Sequence, residues 1–99
     1  MKRKLLLLLV ALLPMAANAF DAYIDGIYYN FFGNEATVTP GDYKYSGDVV
    51  LPESVIYNGQ NYRVTTIDSY SFYECSGLIS ITIPTTLKMV GANAFEGCI

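Results

Sequence analysis

Two nine-residue segments constrain this chain more than any other feature. Ile67-Asp68-Ser69-Tyr70-Ser71-Phe72-Tyr73-Glu74-Cys75 and Val90-Gly91-Ala92-Asn93-Ala94-Phe95-Glu96-Gly97-Cys98 carry a hydrophobic residue, a phenylalanine and a cysteine at matching places, each pair 23 residues apart. A second register agrees. Val49-Val50-Leu51-Pro52-Glu53-Ser54-Val55 matches Ile81-Thr82-Ile83-Pro84-Thr85-Thr86-Leu87 with an offset of 32, and the nine extra residues are those around Asn58-Gly59. A period in the twenties is the signature of a solenoid built from short, strand-bearing coils.

In such a coil one strand stacks on the next at about 4.8 Å, giving a parallel sheet along the solenoid axis. Strand alternation then turns Leu78, Ile81 and Ile83 inward and leaves Ser80 and Thr82 outside. Pro84 ends the strand, as Pro52 does one unit earlier, because proline cannot donate to a ladder. Gly91 is expected to supply a positive φ, with Asp68 in its place in the earlier copy. Ala94-Phe95 closes the next corner. The expected repeat core is therefore Ile67, Phe72, Cys75, Leu78, Ile81, Ile83, Pro84, Val90, Gly91, Phe95 and Cys98. The outward row Asp48, Val50, Ser80 and Thr82 is the candidate binding face.

The segment before the repeat reads as β. Asp25-Gly26 is a turn signal, and Ile27-Tyr28-Tyr29-Asn30-Phe31 is rich in β-branched and aromatic residues. Phe32-Gly33-Asn34-Glu35 reads as a hairpin connection, and Pro40-Gly41-Asp42 stops the return strand. Asn58-Gly59, between Val55-Ile56-Tyr57 and Tyr62-Arg63-Val64-Thr65, is the sequence of a type I′ hairpin turn.

The first nineteen residues are expected to be a cleaved secretory signal. Lys2-Arg3-Lys4 precedes an unbroken apolar run from Leu5 to Leu13, Pro14 breaks it, and Ala17 and Ala19 are the small residues a signal peptidase accepts before Phe20. The run is well below the roughly 20 residues of a permanent membrane span. Cleavage leaves Lys44, Arg63 and Lys88 against nine acidic residues, a charge of −6. Such a surface repels a phosphate backbone, which argues against nucleic acid, and it offers no polybasic patch to a membrane. With no histidine in the chain, Ser-His-Asp and Cys-His triads and imidazole metal sites are excluded. No cofactor or catalytic residue is expected. Cys75 and Cys98 read as buried reduced thiols, since ladder side chains point in parallel and suit a disulfide poorly.

Leu78-Ile79-Ser80-Ile81-Thr82-Ile83-Pro84 followed by Val90-Gly91 and Ala94-Phe95-Glu96-Gly97-Cys98 resembles the BspA-type leucine-rich repeat of bacterial surface proteins. The stretches Asp25-Gly26-Ile27-Tyr28-Tyr29 and Ile56-Tyr57-Asn58-Gly59-Gln60-Asn61-Tyr62 resemble the cap that precedes such arrays. Asp68 and Ser71 depart from the Gly and Ala of the pattern. The resemblance implies a mainly β fold: a leucine-rich-repeat solenoid with an N-terminal β-hairpin cap. The expected organisation is a signal peptide over residues 1–19, a cap with its inserted Asn-Gly hairpin over 20–66, and 23-residue repeats over 67–99. The last repeat reads as incomplete and the array as truncated, or else as an intact short chain that closes its edge by self-association. The resemblance also implies a secreted or cell-surface protein that binds an extracellular protein or glycan, with no catalytic residues. An alternative is non-catalytic glycan binding or a structural role in the cell envelope. The glycan reading rests on Tyr23, Tyr28, Tyr43 and Tyr45 lying near Asp21, Asp25, Asp42 and Asp48 in sequence.

Overall fold

The computed structural model describes residues 20–98. The expected signal over 1–19, with Ala17 and Ala19, lies outside the described residues; Phe20 lies inside them, packed on the Tyr28 ring at 4.7 Å between centroids. The described residues form strands and turns with no helix: β1 Ala22–Ile24, β2 Ile27–Phe32, β3 Glu35–Val38, β4 Gly47–Val50, β5 Ser54–Tyr57, β6 Gln60–Ile67, β7 Leu78–Thr82 and β8 Met89–Val90.

Local turn chemistry builds the first three strands. Asp25 and Gly26 take φ of 50° and 85°, the two positive angles of a type I′ turn, and join β1 to β2. Gly33, at φ 62°, begins the two-residue link between Phe32 and Glu35, which face each other across β2 and β3. Asn58 and Gly59 take φ of 51° and 80° and join β5 to β6, again as a type I′ turn requires.

Beyond this meander the pairing turns parallel. β3 lies beside β6 with Ala36 opposite Val64 and Val38 opposite Ile67, and β6 lies beside β8 with Ile67 opposite Val90. The cap strand β3 is thus the first member of a parallel stack that continues through β6 into β8. A second, two-stranded parallel sheet pairs β4 with β7. The turn segments that complete each coil stack as well. Phe72 N–H donates to the Ala94 carbonyl at 2.8 Å, and Glu74 N–H to that of Glu96 at 2.7 Å. Each coil therefore hydrogen-bonds to the next on several sides, which satisfies backbone groups that burial would otherwise leave unpaired. The fold is a mainly β solenoid behind a β-hairpin cap.

The core runs between these walls. Ala36, Val38, Val64, Ile67 and Phe72 are fully buried, and Tyr29 and Cys75 nearly so. Through its centre passes a ladder of rings: Tyr45 stacks on Phe72 at 4.5 Å, and Phe72 on Phe95 at 5.1 Å. Offset-stacked aromatic pairs add about 0.5–1.5 kcal/mol beyond the area they bury.

Three expectations about the repeat need correction. Gly91 does not take a left-handed backbone. Those conformations fall at Tyr70 (φ 62°) and Asn93 (φ 60°), and at Glu74 (φ 53°) and Gly97 (φ 83°), both pairs 23 residues apart. Gly91 is needed for another reason: a Cβ there would sit 2.4 Å from the Ser69 backbone nitrogen, so one coil passes too close to the next for any side chain. Second, Ile83 does not turn inward with Leu78 and Ile81. The register between β4 and β7 shifts at Gly47/Asp48, where Leu78 faces Gly47 but Ser80 faces Asp48, so Ile79 bulges out and is exposed. Leu78 and Ile81 pack against the core while Ile83 stays exposed. Third, the two copies are unequally buried. Ile67 is covered because β8 pairs beside it, whereas no described strand lies beyond β8 and its partner Val90 is 51% exposed. Phe95 and Cys98 are likewise half-buried where Phe72 and Cys75 are buried, and Pro84 is buried.

Candidate functional site

The four residues of the expected binding face come together on the β4–β7 sheet. Asp48 faces Ser80 and Val50 faces Thr82 across the parallel pair, and all four side chains point to solvent. Ser80 Oγ donates to Asp48 Oδ1 at 2.7 Å. Five residues further on, Thr85 Oγ1 donates to Glu53 Oε2 at 3.1 Å, with the same offset of 32. In each case the first coil offers a carboxylate and the second a hydroxyl, so the hydroxyl holds the carboxylate in register along the face. Val50 and the bulged Ile79, 63% and 78% exposed, add apolar surface to this row. The sequence reading located the polar row but did not name Ile79, although the three-residue step from Leu78 to Ile81 is the trace of the extra residue.

A second region is built from the tyrosines. Tyr23, Tyr28, Tyr43 and Tyr45 line one cavity of about 240 Å³ with Ser46 and Lys44. Tyr28 and Tyr45 form its buried floor; Tyr23 and Tyr43 stand at its mouth, 59% and 79% exposed. Close packing positions the floor, since the Gly41 backbone lies so tightly against the Tyr28 ring that a Cβ would overlap it. Tyr45 Oη donates to the Thr39 carbonyl at 2.6 Å and accepts from Tyr28 N–H at 3.0 Å. Burial pushes the Tyr45 phenol well above its ordinary range, and burial does the same to Tyr29. Tyr28 Oη accepts from Tyr43 N–H at 3.3 Å, and desolvation raises its phenol too.

The carboxylates named beside these tyrosines divide among different places. Asp25 and Asp48 line an adjoining cavity of about 320 Å³, Asp42 borders a third of about 90 Å³, and Asp21 Oδ2 accepts from Phe31 N–H at 3.0 Å. Lys44 Nζ donates to the Tyr73 carbonyl at 2.7 Å and lies 5.3 Å from that ring's centre, a cation–π contact on its far side. Tyr45 as first rung of the ring ladder was missed from sequence. No periodic signal marks it: the recurrence of Ser46-Gly47 as Ser76-Gly77 sets Tyr45 against Cys75 rather than Phe72.

Cys75 and Cys98 are both free thiols; Cys98 Sγ donates to the Phe72 carbonyl at 2.7 Å. Burial pushes the Cys75 thiol up. Among the described residues no group of three or more His, Cys, Asp or Glu could hold a metal ion, and no helix is long and apolar enough to cross a membrane.

A family model described as "BspA type Leucine rich repeat region (6 copies)" matches residues 48–99, from β4 onward and through the Asn58-Gly59 hairpin. Among solved structures, the chain is similar to a leucine-rich cell surface protein from Faecalibacterium prausnitzii A2-165, with a TM-score of 0.49 and 22% identity. That alignment covers 81% of this chain and 29% of the other, so the chain spans less than a third of that protein's length. No curated protein matches.

Proposed function

Since the chain belongs to the BspA-type leucine-rich repeat family, we propose that it is an exported binding module that holds an extracellular macromolecule on its β4–β7 face. One observation carries the reading: the parallel register that sets Asp48 beside Ser80 and Val50 beside Thr82 on an exposed sheet. A stacked-strand face presents side chains at fixed spacing along one line, which suits many modest contacts with an extended partner. Here the row alternates carboxylate and hydroxyl groups with Val50 and Ile79, so it offers hydrogen-bond acceptors and apolar contact together. In this reading the tyrosine-rich cap covers the first coil, and no residue performs catalysis.

The test is binding of the purified chain to immobilised extracellular-matrix proteins, with Asp48→Lys and Ser80→Arg as reporters. Both positions are exposed, so the fold tolerates the change. Loss of at least about tenfold in affinity, or about 1.4 kcal/mol, is expected for either variant. Unchanged binding by both removes this face from consideration.

A further inference from the structure

Beside the β4–β7 face lies a cleft whose chemistry differs from that of the strand row. The tyrosine cavity and its neighbour, of about 240 and 320 Å³, share Gly26, Ser46 and Val49 as walls and so adjoin each other. The larger of the two reaches the ~300–1,000 Å³ of small-ligand sites. One end presents aromatic faces and the other the carboxylates of Asp25 and Asp48. We propose that this cleft binds a neutral saccharide, through Tyr23 and Tyr43 as stacking surfaces and Asp25 and Asp48 as hydroxyl acceptors.

The reasoning starts from the rings. Tyr23 and Tyr43 keep most of their surface in water although each adjoins a packed aromatic floor. Sugar rings present apolar C–H faces to such surfaces while their hydroxyl groups seek acceptors and donors at the edge. Stacking faces and acceptors are both supplied here. Asp25 and Asp48 accept, and Tyr28, whose Oη accepts from Tyr43 N–H, lines the tyrosine cavity. The Tyr45 hydroxyl is already used in both directions and belongs to the frame.

Charge selects the class of sugar. Asp25 and Asp48 line one half of the cleft and Asp42 borders a separate cavity beside Tyr43, while the ammonium of Lys44 is turned to Tyr73. An acidic saccharide would be repelled. A lysine-rich peptide is the competing occupant: it would find counter-charges at Asp25 and Asp48 but none in the lining of the tyrosine cavity, where the charged residue is Lys44.

The test titrates maltotriose, cellotriose, xylotriose and N-acetylchitotriose into the purified chain, followed by amide NMR shifts, beside trigalacturonate and a tetralysine peptide. At least one neutral trisaccharide is expected to bind with a Kd of about 1 mM or tighter and to shift the amides around Tyr23, Asp25 and Tyr43. Tyr23→Ala and Tyr43→Ala should each weaken it about tenfold or more, while Tyr23→Phe keeps the ring and the binding. Thr82→Arg, on the strand face but outside the cleft, should leave it unchanged, which separates this site from the macromolecular contact proposed above. The assignment fails if no neutral trisaccharide shifts these amides, if binding survives the Tyr23→Ala/Tyr43→Ala double variant, or if only tetralysine occupies the cleft.

Discussion

Glu74 and Gly97 hold the same left-handed backbone in successive coils, yet only one of them is glycine. A left-handed conformation costs an L-residue with a Cβ roughly 1–2 kcal/mol. Glu74→Gly should therefore raise stability by up to about 1 kcal/mol, after allowing for the freer unfolded chain, as a higher urea midpoint at unchanged slope. Gly91→Ala should do the reverse. Its Cβ would collide with the Ser69 backbone, which no side-chain rotation relieves, and a loss of about 1–3 kcal/mol is expected in the same measurement. The buried phenols set an alkaline limit. Tyr29 and Tyr45 have folded pKa values raised above the ordinary 10.0, so as pH climbs through 10 the unfolded chain releases protons that the folded chain retains. Stability then falls with rising pH, by up to about 1.4 kcal/mol per unit for each group, and Tyr45→Phe should flatten that decline. None of these backbone angles or burials was legible from composition. Gly91 was recognised as special, but for a torsion rather than for a close approach between coils, because sequence spacing does not reveal which backbones touch.

The ring ladder is the element that ties cap to repeat. Phe72 is fully buried between Tyr45 and Phe95, so Phe72→Ala should cost about 3–5 kcal/mol in chemical denaturation, whereas Phe95→Ala, half-buried, should cost clearly less. Two of its three rings are marked in the sequence. Phe72 and Phe95 share a 23-residue spacing and a Cys three residues on, which marks them as equivalent. Tyr45 stands 27 residues before Phe72 and has no such cysteine, so the period misses it although the ring occupies the same rung. The strand face shows the same division. The 32-residue register set Asp48 and Val50 opposite Ser80 and Thr82, as the structure has them, while the Ile79 bulge, whose trace is the three-residue step from Leu78 to Ile81, follows from how β7 meets Gly47. The tyrosine cleft was legible only as a list of neighbouring residues. What assembles it is the turn at Asp25-Gly26 and the chain around Gly41 closing over Tyr28, contacts between segments far apart in sequence.

At the scale of the whole molecule, one ion pair spans the distance from cap to second coil. Lys88 Nζ lies 3.3 Å from Glu35 Oε2, and Thr65 Oγ1 donates to Glu35 Oε1 at 2.9 Å. The Thr65 hydrogen bond first, then Lys88, holds the Glu35 carboxyl below the usual carboxylate range. Its contribution is present above the unfolded carboxyl value and is lost as pH falls through the lowered folded one. Glu35→Gln should accordingly shrink the acid-side drop in melting temperature while leaving the alkaline limb alone. Export is the other molecular property to check: expression of the intact chain in a Gram-negative host should yield a product whose amino-terminal sequencing reads Phe20-Asp21-Ala22.

The Asn58-Gly59 hairpin adds nine residues between two segments whose 32- and 23-residue registers both survive it. β5 pairs with the first half of β6 alone, leaving Thr66 and Ile67 to meet β8, and both turn residues are exposed. The repeat registers thus tolerate nine added residues at this tip. A foreign epitope spliced between Asn58 and Gly59 would be displayed on the outside of an otherwise unaltered scaffold, which makes this turn the natural attachment point for labels or antigens.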